Sequence, residues 1–131
     1  MFEYSCTIVK VIDGDTVDVD IDLGFGVWLK KQRIRLYGID TPESRTRDTE
    51  EKVFGLEAKA YLKTRLENCE KLIVKTEKDG KYGRMLGWFY SHEGETSINI
   101  EMVEKGYAWE YDGGKKEKNL QDLLEVRGVP V

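Results

Sequence analysis

Residues 33–43 read RIRLYGIDTPE, and the rest of the chain is organised around this stretch. Its first half alternates polar and apolar side chains, which is the period-2 pattern of a half-buried strand. Gly38 interrupts the alternation as at a bulge, and Pro42 ends any ladder and holds the preceding residue extended. The pattern predicts a strand that ends in a stiff turn, which suits a site whose groups must not move. A surface strand with a solvated charge pair explains the segment about equally well.

The composition indicates one folded domain over residues 1–131. Of these residues 35% are charged and 40% are hydrophobic, enough for a real core. No apolar run is long enough to span a membrane, and the start, MFEYSCTIVK, lacks the features of a signal peptide. Cys6 and Cys69 do not make a disulfide framework. We therefore expect a cytoplasmic monomer with two buried free thiols.

The net charge of −4 argues against a protein that binds nucleic acid by bulk electrostatics. Basic residues nevertheless cluster locally. The clusters comprise Lys30, Lys31, Arg33 and Arg35, then Arg45 and Arg47, then Lys78, Lys81 and Arg84.

The alternation of apolar residues predicts five short strands with a helix between the third and the fourth. This order is typical of a β-barrel with helices in the α+β class, a five-stranded OB-fold barrel with about three α-helices. The predicted strands cover residues 4–12, 16–23, 27–39, 71–76 and 85–91, and the predicted helices cover residues 53–67, 99–105 and 116–127.

Local signals set the expected ends of the helices. Asp48 followed by Glu51 resembles a capping box for the first helix. The polar residues 44–52 carry no apolar period, so we expect an exposed and mobile loop there. Asn99 is predicted to cap the second helix, which Gly106 ends.

Two apparent motifs do not match the spacing that their function requires. An EF-hand loop that started with the run DVDIDLG at 18–24 would need glycine at position 23 and glutamate at position 29, where this chain has Leu23 and Leu29. GFG at 24–26 lacks the third glycine of a dinucleotide site. Because His92 is the only histidine, any metal should be a hard cation held by oxygens rather than zinc, and any general base should be a carboxylate.

The remaining polar groups suit phosphodiester chemistry. Two aspartates and a backbone carbonyl suit Ca²⁺, two guanidinium groups can clamp a phosphodiester, and a glutamate can orient or deprotonate a water. Spacing alone does not prove that these groups converge, since each also has an ordinary role in a turn or on the surface. They are Asp15, Arg35, Asp40, Thr41, Glu43 and Arg84.

Three motifs in order resemble those of the staphylococcal nuclease (thermonuclease) family. They are VIDGDT at 11–16, RLYGIDTPE at 35–43 and KYGR at 81–84, and FGLEA at 54–58 and GYAWEY at 106–111 extend the similarity over nearly the whole chain. The resemblance implies an OB-fold barrel with three helices. It also implies a Ca²⁺-dependent nuclease that cleaves the 5′ P–O bond of DNA or RNA and leaves 3′-phosphate ends.

By position, the resemblance implies a Ca²⁺ site and a base. The carboxylates of Asp15 and Asp40 and the backbone carbonyl of Thr41 match the family's metal ligands. Glu43 matches the residue assigned as general base or water-orienting group.

The resemblance further implies contacts to the nucleotide. Arg35 and Arg84 match the two phosphate-binding arginines, and Lys81 and Tyr82 match residues that line the terminal phosphate and sugar. Tyr111 matches the pocket tyrosine near the base, in a segment whose length varies.

The chain departs from the family pattern in two ways. The family's best-known member is strongly basic whereas this chain is acidic, and the last helix is short. The alternatives are a non-catalytic binding module on the same fold and an OB-type single-strand binder that stacks bases on Tyr37 and Trp28. Acids clustered at the barrel mouth would repel phosphate in the single-strand binder unless a metal ion lay among them.

Overall fold

A computed structural model describes residues 2–78, 85–91, 96–111 and 118–128. Within these residues the chain forms seven strands and three helices. In chain order they are β1 (Phe2–Asp13), β2 (Thr16–Asp22), β3 (Trp28–Leu36), β4 (Ile39–Asp40), α1 (Thr49–Glu67), β5 (Leu72–Lys78), β6 (Met85–Ser91), α2 (Ile98–Glu104), β7 (Trp109–Glu110) and α3 (Leu120–Val126).

Five of the strands close into a barrel in the order β1-β2-β3-β6-β5. β5 closes the barrel by pairing with β1, and β3 lies parallel to β6. Val17, Val19 and Ile21 of β2 point into the core and are buried, while the aspartates between them face outward, as the alternation predicts. The predicted five-stranded barrel with helices is confirmed, and the five predicted strands end within three residues of the observed ones.

Helix α1 packs its apolar stripe against the barrel. Phe54, Ala58, Leu62 and Leu66 of the predicted stripe are buried, and the Tyr61 ring stacks on Tyr107 at 4.4 Å between centroids. Full burial of one leucine side chain stabilises the fold by about 1.5–3 kcal/mol. The stripe therefore fixes which face of α1 meets the barrel.

The first helix begins earlier than predicted, at Thr49 instead of residue 53. It does so because the Asp48 carboxylate accepts hydrogen bonds from the N–H groups of Glu50 and Glu51. These first-turn N–H groups have no acceptor within the helix itself. The predicted reciprocal half of the capping box is absent among the described contacts, since the Glu51 carboxylate accepts from the N–H of Glu43 at 3.1 Å. The expectation of an exposed loop over 44–52 is wrong at both ends, because Ser44 is buried and residues 49–52 belong to α1.

The second helix also begins earlier than predicted, because Ser97, not Asn99, caps it by accepting from the N–H of Ile100. Asn99 is buried, and its amide nitrogen donates to the carbonyls of Tyr37 and Gly87 at 2.9 Å each. Asn99 therefore ties α2 to the barrel, a long-range role that a local capping pattern does not reveal. The third helix is shorter than predicted and covers Leu120–Val126.

Strand three ends at Leu36, earlier than the predicted residue 39. Gly38 adopts a φ of +80°, which bends the chain where a side chain would be strained. The chain then forms β4, which pairs with β7 in a separate two-stranded sheet. Strands of two residues show no sequence period, so the pairing of β4 with β7 was not predicted.

Both cysteines are free, but only Cys6 is fully buried, and Cys69 is half-buried, against the expectation of two buried thiols. No helix in the described part of the chain is long and apolar enough to cross a membrane. Residues 79–84, between the fourth and fifth predicted strands, and His92 lie outside the described residues.

Candidate active site

Asp15, Arg35 and Asp40 converge at one end of the barrel. Asp15 lies in the turn before β2, and the pairing of Thr16 with Arg35 brings β3 beside it. Arg35 Nη1 lies 3.3 Å from Asp15 Oδ2, and Arg35 Nη2 lies 3.5 Å from Asp40 Oδ1. One planar guanidinium thus bridges two carboxylates from separate turns.

These three side chains are largely shielded from solvent, with exposed fractions of 13% for Asp15, 20% for Arg35 and 14% for Asp40. Burial raises the pKa of Asp15; Arg35 opposes that rise and the neighbouring charge of Asp40 adds to it. Arg35 therefore only partly offsets the cost of holding two carboxylates together in a poorly hydrated site. Additional positive charge is favourable at this position.

Backbone contacts hold the Asp15 carboxylate in place. Its Oδ2 accepts from the N–H of Thr41 at 3.2 Å, and its Oδ1 accepts from the hydroxyl of Thr16 at 3.0 Å. The Asp15 carbonyl accepts from the N–H of Leu36 at 2.8 Å. The two turns that carry the aspartates are therefore joined directly through the Asp15 side chain.

Thr41 is buried between these turns. Its hydroxyl oxygen has no hydrogen-bond partner among the described residues and packs close to Gly14, where an added Cβ would lie 3.0 Å from it. The main chain of Thr41, rather than its side chain, therefore makes the polar contacts at the site.

Glu43 lies at the mouth of the site with its side chain exposed. It lines a cavity of about 310 Å³. Asp40, Thr41, Glu51, Trp109 and Lys118 also line this cavity. The structure therefore brings Glu43 together with Asp40 and Thr41 in one open space.

Lys118 and Trp109 are site residues that sequence reasoning missed. The ammonium of Lys118 forms an ion pair with Asp40 Oδ2, and the Trp109 indole donates to the carbonyl of Asn119 at 3.1 Å. The lysine-rich run KKEK at 115–118 was the only sequence signal for Lys118. Nothing in its spacing connects it to the aspartates.

Tyr111 lines a different cavity, of about 410 Å³, together with Tyr37, Trp88 and Glu110. Its N–H donates to the carbonyl of Gly38 at 2.8 Å. The structure therefore places Tyr111 beside the site rather than in the space shared by Asp40 and Glu43. The other three sequence candidates, Lys81, Tyr82 and Arg84, lie outside the described residues.

Two acidic side chains of the site could contribute oxygens to a hard divalent cation. Asp15 and Asp40 offer carboxylate oxygens, and Asp15, with its raised pKa, lies where added positive charge is favourable. Over the described ranges no group of three or more acidic, histidine or cysteine side chains is placed to hold a metal. A pair of carboxylates suits Ca²⁺, which completes its shell with carbonyl oxygens and water, and does not suit zinc.

Taken together, the closed barrel and the paired carboxylates around a half-buried arginine define an OB-type barrel with a charged site at its mouth. The chain belongs to the staphylococcal nuclease family. The family described as staphylococcal nuclease homologue matches residues 33–127.

Several curated proteins resemble the chain at about one-third identity. Endonuclease YhcR of Bacillus subtilis is 34% identical over 116 residues, 83% of this chain and 9% of that protein. Thermonuclease of Staphylococcus hyicus is 34% identical over 108 residues, covering 81% of this chain and 59% of that protein. Micrococcal nuclease of Shigella flexneri is 34% identical over 116 residues, covering 83% and 59%. The chain therefore spans less than two-thirds of the length of each of these relatives.

Proposed function

We propose that this chain is a Ca²⁺-dependent nuclease that hydrolyses phosphodiester bonds of DNA or RNA. The observation that supports it best is the convergence of Asp15 and Asp40 on the half-buried Arg35. Glu43 lines the same open space as Asp40. The names of the relatives, an endonuclease, a thermonuclease and a micrococcal nuclease, support the same class of reaction.

In this proposal Arg35 binds the scissile phosphate. Its guanidinium is oriented by two carboxylates and by the Leu36 carbonyl, to which Nη1 donates at 3.2 Å. A planar, always-charged fork held in this way needs little rearrangement to stabilise charge on phosphate oxygens. The family resemblance assigns Arg84 to the other side of the phosphate.

Asp15 and Asp40 would hold the Ca²⁺ ion, with the Thr41 carbonyl as a third ligand. When bound, the ion supplies a Lewis acid that polarises a phosphoryl oxygen. The hydrogen bond from Thr41 N–H to Asp15 keeps the two ligand-bearing turns together. Lys118 shares Asp40 with Arg35 and so adds positive charge on the solvent side of the site.

Glu43 would act as general base. It takes a proton from a water whose oxygen attacks phosphorus, and the bond from phosphorus to the 5′ oxygen breaks. The 5′ oxygen leaves as a hydroxyl after gaining a proton, and the phosphate stays on the 3′ side. An exposed carboxylate at the rim of the cavity is accessible to water, as this role requires.

The first test measures cleavage of single- and double-stranded DNA and of RNA, with Ca²⁺, with Mg²⁺ and with chelator. We expect cleavage with Ca²⁺ and little turnover with Mg²⁺, which prefers stricter octahedral geometry. Full activity in Mg²⁺ with Ca²⁺ removed would overturn the metal assignment. No cleavage under any metal would favour the non-catalytic binding module.

The second test is Glu43→Gln, which keeps size and hydrogen bonding but removes the proton acceptor. General-base assistance contributes roughly 10²–10⁴ in rate, so single-turnover cleavage should slow at least about 100-fold. Ca²⁺-dependent affinity for an uncleavable strand should stay unchanged. Loss of that affinity together with rate would make Glu43 a structural acid instead.

A further inference from the structure

Helix α1 contacts the main chain at Glu43 in two ways. The Glu51 carboxylate accepts from the Glu43 N–H at 3.1 Å. A Cβ added to Gly55 would lie 2.5 Å from the carbonyl carbon and oxygen of Glu43 and 2.6 Å from the nitrogen of Ser44. Because real Cβ atoms essentially never come closer than 3.0 Å, only glycine lets the turn rest on the helix at this distance.

Gly55 has no other evident reason to be in the helix. Glycine lowers helix stability relative to alanine. Its φ is not among the positive values found in the described residues, so a left-handed conformation does not require it. It lies within α1 and is buried. Close approach of the 43–44 main chain is therefore what glycine provides at this position.

The same face of α1 also seats the turn that carries Asp15. Ala58, three residues after Gly55, is fully buried. A Cβ at Gly14 would lie 2.8 Å from the Ala58 Cβ. Since residues three apart lie on one side of a helix, small side chains on one face let both turns approach.

We infer that Glu51 and Gly55 are positioning residues for Glu43. Glu51 holds the Glu43 N–H, and Gly55 lets the following peptide pack against α1, so that the helix sets where the Glu43 carboxylate lies relative to Asp15 and Asp40. The inference rests on the proposed role of Glu43 as general base. Glu51, predicted to close a capping box, instead connects the helix to the site.

The first experiment compares Gly55→Ala with Leu62→Ala. A displacement of about 1 Å at a reacting group can lower the rate on the order of 10²-fold, so Gly55→Ala should lower kcat roughly 10- to 100-fold and leave KM unchanged. Leu62 is buried in the same helix, seven residues after Gly55. Leu62→Ala should lower the melting temperature and leave kcat unchanged well below that temperature.

The second experiment keeps the inference testable if Gly55→Ala does not fold. Glu51→Ala should lower kcat, and Glu51→Gln, which still offers an acceptor oxygen, should restore most of it. In Glu51→Ala the Glu43 amide should exchange with solvent faster than in the wild type. Neither change is expected from a residue that serves only helix stability.

A combined variant separates positioning from stability. In a Glu43→Gln background, Gly55→Ala should cause little further loss of kcat, because there is no longer a base to misplace. Equal losses in both backgrounds would overturn the inference. A wild-type protein that cleaves nothing overturns the proposed function, whereas an active wild type whose Gly55→Ala and Glu51→Ala variants keep their kcat overturns only the positioning role.

Discussion

Two arginines lie two residues apart on β3, and both contact aspartates. Arg33 contacts Asp18 with Nε at 2.9 Å and Nη2 at 3.2 Å, and its side chain is 63% exposed. Arg35 contacts Asp15 and Asp40 at 3.3 and 3.5 Å, and it is largely buried. The pair with the shorter contacts is the one at the surface. Burial and the sharing of one guanidinium between two acids, not contact distance, distinguish the site.

The pKa values of the two aspartates shift in opposite directions, although each arginine lowers the pKa of its own partner. The hydrogen bond from Arg33 lowers the pKa of Asp18. Burial raises the pKa of Asp15 in spite of Arg35. The same pair of residue types thus yields a solvated ion pair in one place and a poorly hydrated site that favours added positive charge in the other.

The largest expected difference is in catalysis. Arg35→Lys keeps the charge but loses the planar fork, and we expect a loss of about 3–4 kcal/mol of transition-state stabilisation, by analogy with removal of one oxyanion donor. Arg33→Lys should leave kcat within about twofold, because a solvated pair on the outer face contributes little. Single-turnover cleavage in Ca²⁺ measures both. Equal rates for the two variants would mean that the phosphate is bound elsewhere.

The next difference is in stability, because replacing the two aspartates should shift the melting temperature in opposite directions. Asp15→Asn should raise the melting temperature at neutral pH, since it replaces a carboxylate whose pKa is raised by burial with a neutral side chain of similar size. Asp18→Asn should lower it slightly, since it removes the partner of Arg33. Both changes should be well below the roughly 2–5 kcal/mol expected for Leu62→Ala. Thermal unfolding of the three variants checks the order.

The pH dependence follows from the directions of the two pKa shifts. Because the pKa of Asp15 is raised, its contribution to the free energy of unfolding is fully present below the ordinary pKa of 3.8. That contribution is lost as pH rises through the pKa of the folded state. Because the pKa of Asp18 is lowered, its contribution to the free energy of unfolding is present above the ordinary pKa of 3.8. That contribution is lost as pH falls through the pKa of the folded state. The stability difference between Asp15→Asn and wild type should therefore grow from acid to neutral pH. A difference that shrinks over that range would contradict the burial argument.

The smallest difference is the response to salt. The Debye length falls from about 10 Å at 0.1 M to about 3 Å at 1 M salt, so the solvated pair is screened more strongly than the half-buried one. The small destabilisation caused by Arg33→Gln should shrink between these concentrations. The ratio of wild-type to Arg35→Lys cleavage rates should change little. A rate ratio that falls as steeply as the Arg33 effect would place Arg35 in a solvated environment as well.

Much of the fold could be predicted from the sequence because it depends on local patterns. The alternation in residues 16–23 reports a strand with one buried face, and the stripe from Phe54 to Leu66 reports one face of a helix. The candidates of the 33–43 stretch were found together because one strand and one turn carry them. Asp15 lies in a turn before a neighbouring strand. The order of the motifs, not spacing alone, therefore identified it as a site candidate.

The sequence by itself determined the barrel, the position of α1 and the set of polar groups available for chemistry. It singled out Arg35 over Arg33 without showing their different burial, assigned Glu51 and Asn99 to helix caps, and offered no link between Lys118 and Asp40. The tertiary structure decided these points, because burial and contacts between separate elements arise only when the barrel closes and α1 packs against it. A local pattern reports which face of an element is apolar, but not which charges that face brings together.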